Sequence, residues 1–528
     1  MSPKVKLNPH LLFMLIISIL TAMLAYRYLL YTRANRVLEV TPYNWQKLSL
    51  ILSQIDNSYV DSVNYKDITE AVIPYILEQL DPHSVYLPPV ELKYAEEQLE
   101  GNFDGIGVQF NVPNDTAIVI SAITGGPSEK VGIISGDRLV NVNGENIAGV
   151  KIDQDSIVSK LKGPSGSMVR VGVKRNGVEE LIYFDIKRDK IPTKSVDVAY
   201  MINDTTGFIR LIRFSKTTYS EFMQSTNELL SQGMKSLILD LRGNPGGYFD
   251  QALRLSNEFL ERGELIVYME GLHRKREDYY ADNSGKLKHV GLKILIDENS
   301  ASSSEILAGA IQDNDRGTII GRRSYGKGLM QEPIYFSDNS GMRLTVARFY
   351  TPTGRSIQKP YAENYRYDIY ERFIHGEMTD VDSIKRNDSL RYETPGGKIV
   401  YGGGGIIPDI FVPLERASSF YMRVGDQSLG LTFRFGVQMA DLYRERLNEI
   451  KSLTVLKEFF ATIEFGERFL SYAASHGVVP GEGEWEESRE QIINDIMAYI
   501  GRYSPLGDDA FFPILFEKDN TVIAAIGQ

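Results

Sequence analysis

Two continuous apolar strands, each running into a loop of small residues, most constrain what this chain can fold into. Residues Ser236–Leu241 read Ser-Leu-Ile-Leu-Asp-Leu and break into Arg242-Gly243-Asn244-Pro245-Gly246-Gly247, with a helix predicted from about Asp250. Residues Lys293–Ile296 form a second such strand. It runs into Ser300-Ala301-Ser302-Ser303-Ser304-Glu305-Ile306, with a small-residue helix predicted over Ser303–Asn314. The repeated order of strand, tight loop and helix indicates an α/β layer with functional loops at its strand ends.

The serine cluster also limits the chemistry. Ser302 lies 25 positions (327 − 302) before Lys327, which is set between Gly326 and Gly328. The chain has no cysteine and only six histidines, so the commoner nucleophile–base pairs are poorly supplied. Ser302-x-x-Glu305 is also a helix capping box, in which Ser302 merely caps the helix. A helix start equally suits a nucleophile, because its free N–H groups stabilise developing negative charge. Lysine acts as a general base only when unprotonated, and burial lowers its pKa toward that state. Lys327 would then take the Ser302 hydroxyl proton and return it to the leaving amine. Gln331, four positions on, would orient the lysine. The Arg242–Gly247 loop would offer a backbone N–H to an oxyanion, or serve as an ordinary Pro-Gly turn. Asp313 and Asp315 end the Ser302 helix, where such acids are commonly solvated.

The remaining chain divides by composition. Hydrophobic residues make up 43% and charged residues 24%, as in a globular protein with a real core. The net charge of −11, with no long basic run, argues against a nucleic-acid partner. The absence of cysteine excludes disulfides and thiolate metal sites. Residues 1–36 hold an apolar run, Leu11–Ala25, extended through Tyr31 to about the 20 residues a bilayer requires. It reads as an uncleaved signal anchor in preference to a cleaved signal peptide, since small residues are poorly placed for cleavage. Residues 37–98 carry helical periodicity (Leu48, Ile51, Leu52, Ile55, Tyr59, then Ile68, Val72, Tyr75, Ile76, Leu80) up to Asp81-Pro82-His83-Ser84. Residues 99–190 are β-rich, with strands predicted at 107–111, 117–122, 138–142, 168–175 and 180–186 and a helix over Asp153–Leu161. Within them Gly105-Ile106-Gly107-Val108 reads as a backbone nest for a carboxylate beside an open strand edge. Residues 191–413 form the α/β layer, with a polar, Tyr-rich insertion at 362–400. Residues 414–528 are predicted helical over Leu431–Leu453, Val455–His476 and Glu484–Tyr503.

Taken in order, these segments resemble the carboxy-terminal processing proteases, also called tail-specific proteases, over roughly residues 40–413. The motifs are Leu80-Asp81-Pro82-His83-Ser84, Gly105–Val108, Gly132–Leu139, Leu239–Gly247, Ser300–Glu305, Tyr325–Gln331, Tyr350–Gln358 and Ile407-Pro408-Asp409. The resemblance implies a multidomain α/β protein: a helical N-terminal segment, a β-rich PDZ-like domain, an α/β serine-protease core and a helical C-terminal region. It implies Ser302 as nucleophile, Lys327 as general base and Gln331 as its support. The oxyanion hole would come from the backbone N–H of Ser303 and of Gly246, and Asp313 matches a position implicated in some members. Ser303 stands where members commonly have alanine, which leaves the backbone donor in place. The PDZ-like domain, through Gly105, Ile106, Gly107 and Val108, would capture the C-terminus of a protein or peptide substrate. No cofactor or metal is implied. A bacterial cell-envelope location follows, with the catalytic part anchored in the periplasm, or secreted if the N-terminal segment is cleaved. The helical ends suggest a homodimer or an adaptor. The alternative is a non-catalytic PDZ scaffold with a retired protease fold, which predicts loss of a catalytic position that this chain retains. A different α/β hydrolase lacks support, because no Gly-x-Ser-x-Gly surrounds Ser302.

Overall fold

The apolar runs assemble into one six-stranded sheet: β1 (Val196–Met201), β2 (Thr206–Leu211), β3 (Ser236–Asp240), β4 (Gly291–Ile296), β5 (Thr318–Gly321) and β6 (Ile410–Phe411), in spatial order as in chain order. β1 and β2 are antiparallel and every later pair is parallel. The structure, a computed structural model, describes Ser18, residues 21–23 and 25–27, and residues 43–527 apart from 113–114, 124, 362–363, 416 and 427–428. It divides into two units, Met1–Ile76 and Leu77–Gln528. The first holds the helix Tyr43–Ser58 and most of the helix Tyr65–Glu78, where periodicity predicts them. The expected anchor over 11–31 falls largely outside the described residues. Among the described residues no helix is long and apolar enough to cross a membrane.

In the second unit the central sheet is apolar on both faces, because successive strand residues point to opposite sides. Ile209, Leu237, Leu239, Ile294 and Ile319 enter a core completed by α1 (Thr218–Ser231), α2 (Phe249–Phe259) and α3 (Ser303–Asp313). Their neighbours Phe208, Ile238, Leu295 and Ile320 enter the opposite core. A smaller antiparallel sheet stands beside the first, with Gly341–Tyr350 paired to Val85–Leu87, Leu265–Gly271 and Leu329–Tyr335. The insertion at 362–400 is built of short elements, chiefly α4 (Asp368–Ile374) and a hairpin of Arg391–Glu393 with Ile399–Tyr401.

The second face of the main sheet is covered by the C-terminal helices, chiefly α5 (Leu431–Leu442), α6 (Glu484–Arg502), α7 (Asp508–Phe516) and α8 (Asn520–Ile526). They share one core with the sheet. Two of the predicted helices are broken. Leu431–Leu453 becomes α5 and Arg444–Glu449, and Val455–His476 becomes Leu453–Phe460 and Phe465–Ser475. The breaks fall at Tyr443 and over 461–464, while the boundary expected near Leu453 is kept, where the Ser452 side chain accepts from the Val455 N–H and starts the helix Leu453–Phe460. α7 and α8 are additional to the predicted set.

The β-rich region follows its prediction closely, with strands Val108–Asn111, Ala117–Ala122, Arg138–Val142, Met168–Lys174 and Ile182–Lys187. Its helix Gln154–Leu161 is capped by Asp153, which accepts from Ser156 N–H. A short helix, Pro127–Val131, is unpredicted. The helix Pro89–Glu100 links this region to the main sheet. Glu97 pairs with Lys162 at 2.8 Å, and Glu100 takes Lys216 at 2.9 Å and the Tyr248 hydroxyl at 3.2 Å. On another side Arg138 reaches Asp441 of α5 at 3.5 Å.

Phe208 is fully buried between Tyr200 and Phe516, each ring centroid 5.3 Å away. Phe208→Ala leaves a cavity where sheet and C-terminal helices meet, and is expected to destabilise the protein by about 3–5 kcal/mol. Urea denaturation measures this; a loss below about 1 kcal/mol would contradict the shared core.

Candidate active site

Ser302 occupies the N-cap of α3, just past the end of β4, with φ +54° and ψ −111°. A residue carrying a β-carbon is strained there and keeps that conformation only when its surroundings enforce it. Three contacts do so. Glu305 Oε2 accepts the Ser302 N–H at 2.8 Å, Ser302 O accepts the Ile306 N–H at 2.9 Å, and Ala301 N–H donates to Asn244 O at 3.0 Å. The Pro245-Gly246-Gly247 turn closes over the same peptides. A β-carbon on Gly246 would lie 2.8 Å from Ala301 O and 2.9 Å from Ser303 N, so only glycine fits.

Glu305 sits beneath the site, 1% exposed. Its Oε1 accepts from Ser324 Oγ at 2.6 Å and Gly326 N–H at 2.7 Å; its Oε2 accepts from Ser302 N–H and, at 2.9 Å, from Lys327 N–H. One carboxylate therefore joins the backbone of the expected nucleophile to that of the expected base. Burial pushes the Glu305 pKa up, and the hydrogen bonds from Ser324, Lys327, Gly326 and Ser302 act against it.

Lys327 lies in the coil just before the strand Leu329–Tyr335, outside the strand-like stretch its neighbours suggest. Its Nζ donates to Gln331 Oε1 at 2.9 Å, and Gln331 Nε2 donates to the His83 carbonyl at 2.6 Å. Burial lowers the Lys327 pKa and the Arg343 charge adds to this; Glu305 and Asp81 oppose it. Burial and then the charge of Lys327 push His83 down to about 4, so its ring is neutral at pH 7. His83 Nε2 lies 2.5 Å from the Tyr365 hydroxyl. Among the described residues no hydrogen bond joins Ser302 to Lys327.

The two expected oxyanion donors differ. Ser303 N–H carries no hydrogen bond among the described residues, while its hydroxyl donates to Gly247 O at 3.0 Å. The N–H of Gly246 is instead committed to Asn244 Oδ1 at 2.9 Å. Gly247 N–H, one residue on, carries none among the described residues. The loop itself is anchored from below: Arg242 pairs with Asp240 at 2.8 Å and with Asp519, the N-cap of α8, at 2.7 Å.

Asp313 stands apart, at the far end of α3. It forms a fully buried ion pair with Arg355 at 2.7 Å and accepts from the Thr353 hydroxyl at 2.7 Å, so its role here is to hold the Thr351–Arg355 turn. Gly105 ends the strand Asn102–Gly105, and Ile106 and Gly107, the latter at φ +74°, form the turn into Val108–Asn111. The amides of Ile106 and Gly107 carry no hydrogen bond among the described residues, and Val108–Asn111 is an edge strand of its sheet. Sequence reasoning passed over Glu305 as more than a spacing marker, and over His83, Asn244 and Tyr365. The Ser-x-x-Glu spacing could have pointed to Glu305; Tyr365 has no local signal.

The comparisons with known proteins come from three directions. The model of peptidase family S41 matches residues 205–366 and that of the PDZ domain matches residues 105–186. A carboxy-terminal-processing protease of Bartonella bacilliformis is 34% identical over 338 residues, covering 60% of this chain and 76% of that protein. The carboxy-terminal processing protease CtpA of Bacillus subtilis is 32% identical over 316 residues, covering 60% and 67%. Among solved structures, the photosystem II D1 C-terminal processing protease is 25% identical, covers 69% of this chain and 86% of that one, and superposes with a TM-score of 0.37.

Each Glu305 oxygen accepts two donors, so Glu305→Gln sets an NH2 group against N–H or O–H donors whichever way the amide turns. The substitution is expected to cost about 1–3 kcal/mol of stability. Thermal denaturation checks it, and an unchanged midpoint would show that the four hydrogen bonds do not hold the site together.

Proposed function

The chain belongs to the carboxy-terminal processing proteases of peptidase family S41, and on that premise we propose that this serine peptidase works through a Ser302–Lys327 dyad. The observation that carries the reading is the Glu305 carboxylate, which binds the backbone N–H of both residues. Neutral Lys327 takes the Ser302 hydroxyl proton as Oγ attacks the scissile carbonyl carbon. The C=O π electrons move onto oxygen, and the N–H groups of Ser303 and Gly247 would take that charge, with the Gly246 N–H joining them once it leaves Asn244. Collapse of the intermediate breaks the C–N bond, and protonated Lys327 gives its proton to the leaving amine. Water then enters by the same proton route and releases the acyl group from Ser302. Gln331, bonded to both Lys327 Nζ and the His83 carbonyl, keeps the amine aimed.

Among the described residues no hydrogen bond joins Ser302 to Lys327 and the Gly246 N–H is taken by Asn244, so we infer that both catalytic contacts form with substrate in place. Such contacts commonly tighten only with substrate in place. The substrate class is a protein or peptide presented by its C-terminus. The free amides at Ile106 and Gly107 would take the terminal carboxylate, and the Val108–Asn111 edge would pair with the tail. We further infer that the apolar run through residues 11–31 anchors the protein in a membrane, with the peptidase outside the cytoplasm; membrane fractionation with protease protection tests that placement.

Cleavage of an unfolded protein with an apolar C-terminal tail tests the dyad. Wild type should cleave it, while Ser302→Ala and Lys327→Ala should both lose turnover with folding intact. Retained cleavage by Lys327→Ala would remove lysine from the mechanism. Turnover is also expected to rise with pH as Lys327 loses its proton. The folded pKa is depressed, so the midpoint of that rise in kcat lies below the ordinary lysine value of about 10.4. A pH–rate profile with no acid limb assignable to Lys327 would count against it.

A further inference from the structure

The insertion at 362–400 lies almost wholly beyond the family-model match, which ends at residue 366, and its sequence reads as a polar, Tyr-rich excursion from the α/β layer. Its contacts say otherwise. Tyr365 meets His83, Asp368 takes the buried Lys359 at 3.1 Å, and Glu377 pairs with Arg323 at 2.5 Å. The most consequential contact belongs to Arg372 of α4, which is 4% exposed. Its Nη1 donates to Ser324 O at 2.8 Å and its Nη2 to Tyr325 O at 3.1 Å. Asp368 neutralises it at 2.9 Å. The guanidinium is so committed to these partners that Nε is buried with no hydrogen-bond partner. An unpaired buried N–H is costly, so the placement of the other two nitrogens needs a reason.

The reason lies in one peptide group. The Tyr325–Gly326 peptide is gripped at both ends, its C=O by Arg372 and its N–H by Glu305 Oε1 at 2.7 Å. The peptide unit is planar, so fixing both ends fixes its orientation. Gly326 follows at φ +89°, where glycine is free to move and a flip of the preceding peptide meets little intrinsic resistance. A flip would take the Gly326 N–H off Glu305 and loosen the next residue, Lys327. We propose that Arg372 is a positioning residue for the general base, clamping the Tyr325–Gly326 peptide so that Lys327 stays in its buried, proton-accepting place. The proposal rests on the Ser302–Lys327 reading and extends it to a part of the chain outside the family match.

The charged surroundings define the expected pH signature. Lys327 is faced by Arg343 from the strand Gly341–Tyr350, by Glu305 from α3, and by Asp81 and the neutral ring of His83 from the turn before Val85–Leu87. Arg372 is faced by Asp368, Glu377, Arg323 and Glu305. A loosened loop hydrates Lys327, its pKa rises toward the ordinary value, and less of it is neutral at pH 7.

The test uses the full chain with Arg372→Ala, Arg372→Lys and Lys327→Ala, read by kcat and KM against pH on a tailed peptide. Circular dichroism and binding of a C-terminal peptide to the PDZ domain report folding. Arg372→Lys keeps the charge but replaces the planar fork, whose two nitrogens each hold a carbonyl, with one ammonium on a shorter reach, so a shift in that variant comes from positioning and not from removal of a cation. Both Arg372 variants should lose on the order of 10²-fold in kcat at pH 7 with KM little changed. Their acid limb should move to higher pH, so that raising the pH recovers part of the rate. If Arg372→Ala fails to fold, the lysine variant decides. A folded Arg372 variant with the wild-type kcat and acid limb, beside an inactive Lys327→Ala, overturns this inference alone. An active Lys327→Ala overturns the dyad beneath it.

Discussion

A single buried carboxylate joins the two loops that carry Ser302 and Lys327. Glu305 is nearly inaccessible, and burying a carboxylate is unfavourable unless its oxygens are saturated with donors. Two donors are the Ser302 N–H and the Ser324 hydroxyl, and two come from consecutive peptides of the lysine loop. The requirement that Glu305 be satisfied thus forces Ser302 and Lys327 onto one frame, although 25 residues separate them (327 − 302). It also holds Ser302 at its unfavourable positive φ, with Gly246 packed over the same backbone. The N-terminal end of α3 then follows Ser302 directly, and its first N–H, that of Ser303, carries no hydrogen bond among the described residues.

The scaffold supplies the rest by burial. The main sheet is apolar on both faces, so the C-terminal helices complete the fold and are not an appendage. They also reach the site. Asp519 at the start of α8 holds Arg242, the first residue of the glycine turn that covers Ser302. On the opposite side of the lysine loop the insertion contributes Arg372, Tyr365 and Glu377. The loop is therefore gripped by its N–H groups from α3 and by its carbonyls from α4. The helix Pro89–Glu100 carries ion pairs to Lys162 of the PDZ domain and to Lys216 beside the glycine turn, so one helix contacts both the PDZ domain and the loops around Ser302.

Much of this was legible in the sequence where local chemistry decides structure. The runs at Ser236 and Lys293 are too apolar to be anything but buried strands, and the small-residue loops after them mark the strand ends. Alternation and Asn-Gly turns placed the PDZ strands within a residue or two. The Ser302, Lys327 and Gln331 positions stand out through the family resemblance and the lack of a competing cysteine, and the fold links them through the Lys327–Gln331 bond and the shared Glu305. What was not legible depends on partners distant in the chain. Asp313 looks like a helix-terminal acid, and only the fold brings Arg355 to it. The Gly246 N–H looks available until Asn244 turns its side chain onto it. In the C-terminal region the periodicity gives no sign of the breaks at Tyr443 and between Phe460 and Phe465. Nothing local distinguishes Arg372 from any solvated arginine.

The central claim is that Glu305 couples the nucleophile to its base, and the rate of covalent modification of the nucleophile measures that coupling without a substrate or the PDZ domain. A serine-directed fluorophosphonate, with the adduct mapped by mass spectrometry, should label Ser302 in the wild-type protein, faster as pH rises. Folded Glu305→Gln should label the same residue more slowly by on the order of 10²-fold. Labelling of Ser302 at the wild-type rate in that variant, or labelling of Ser303 or Ser304 in its place, would contradict the account.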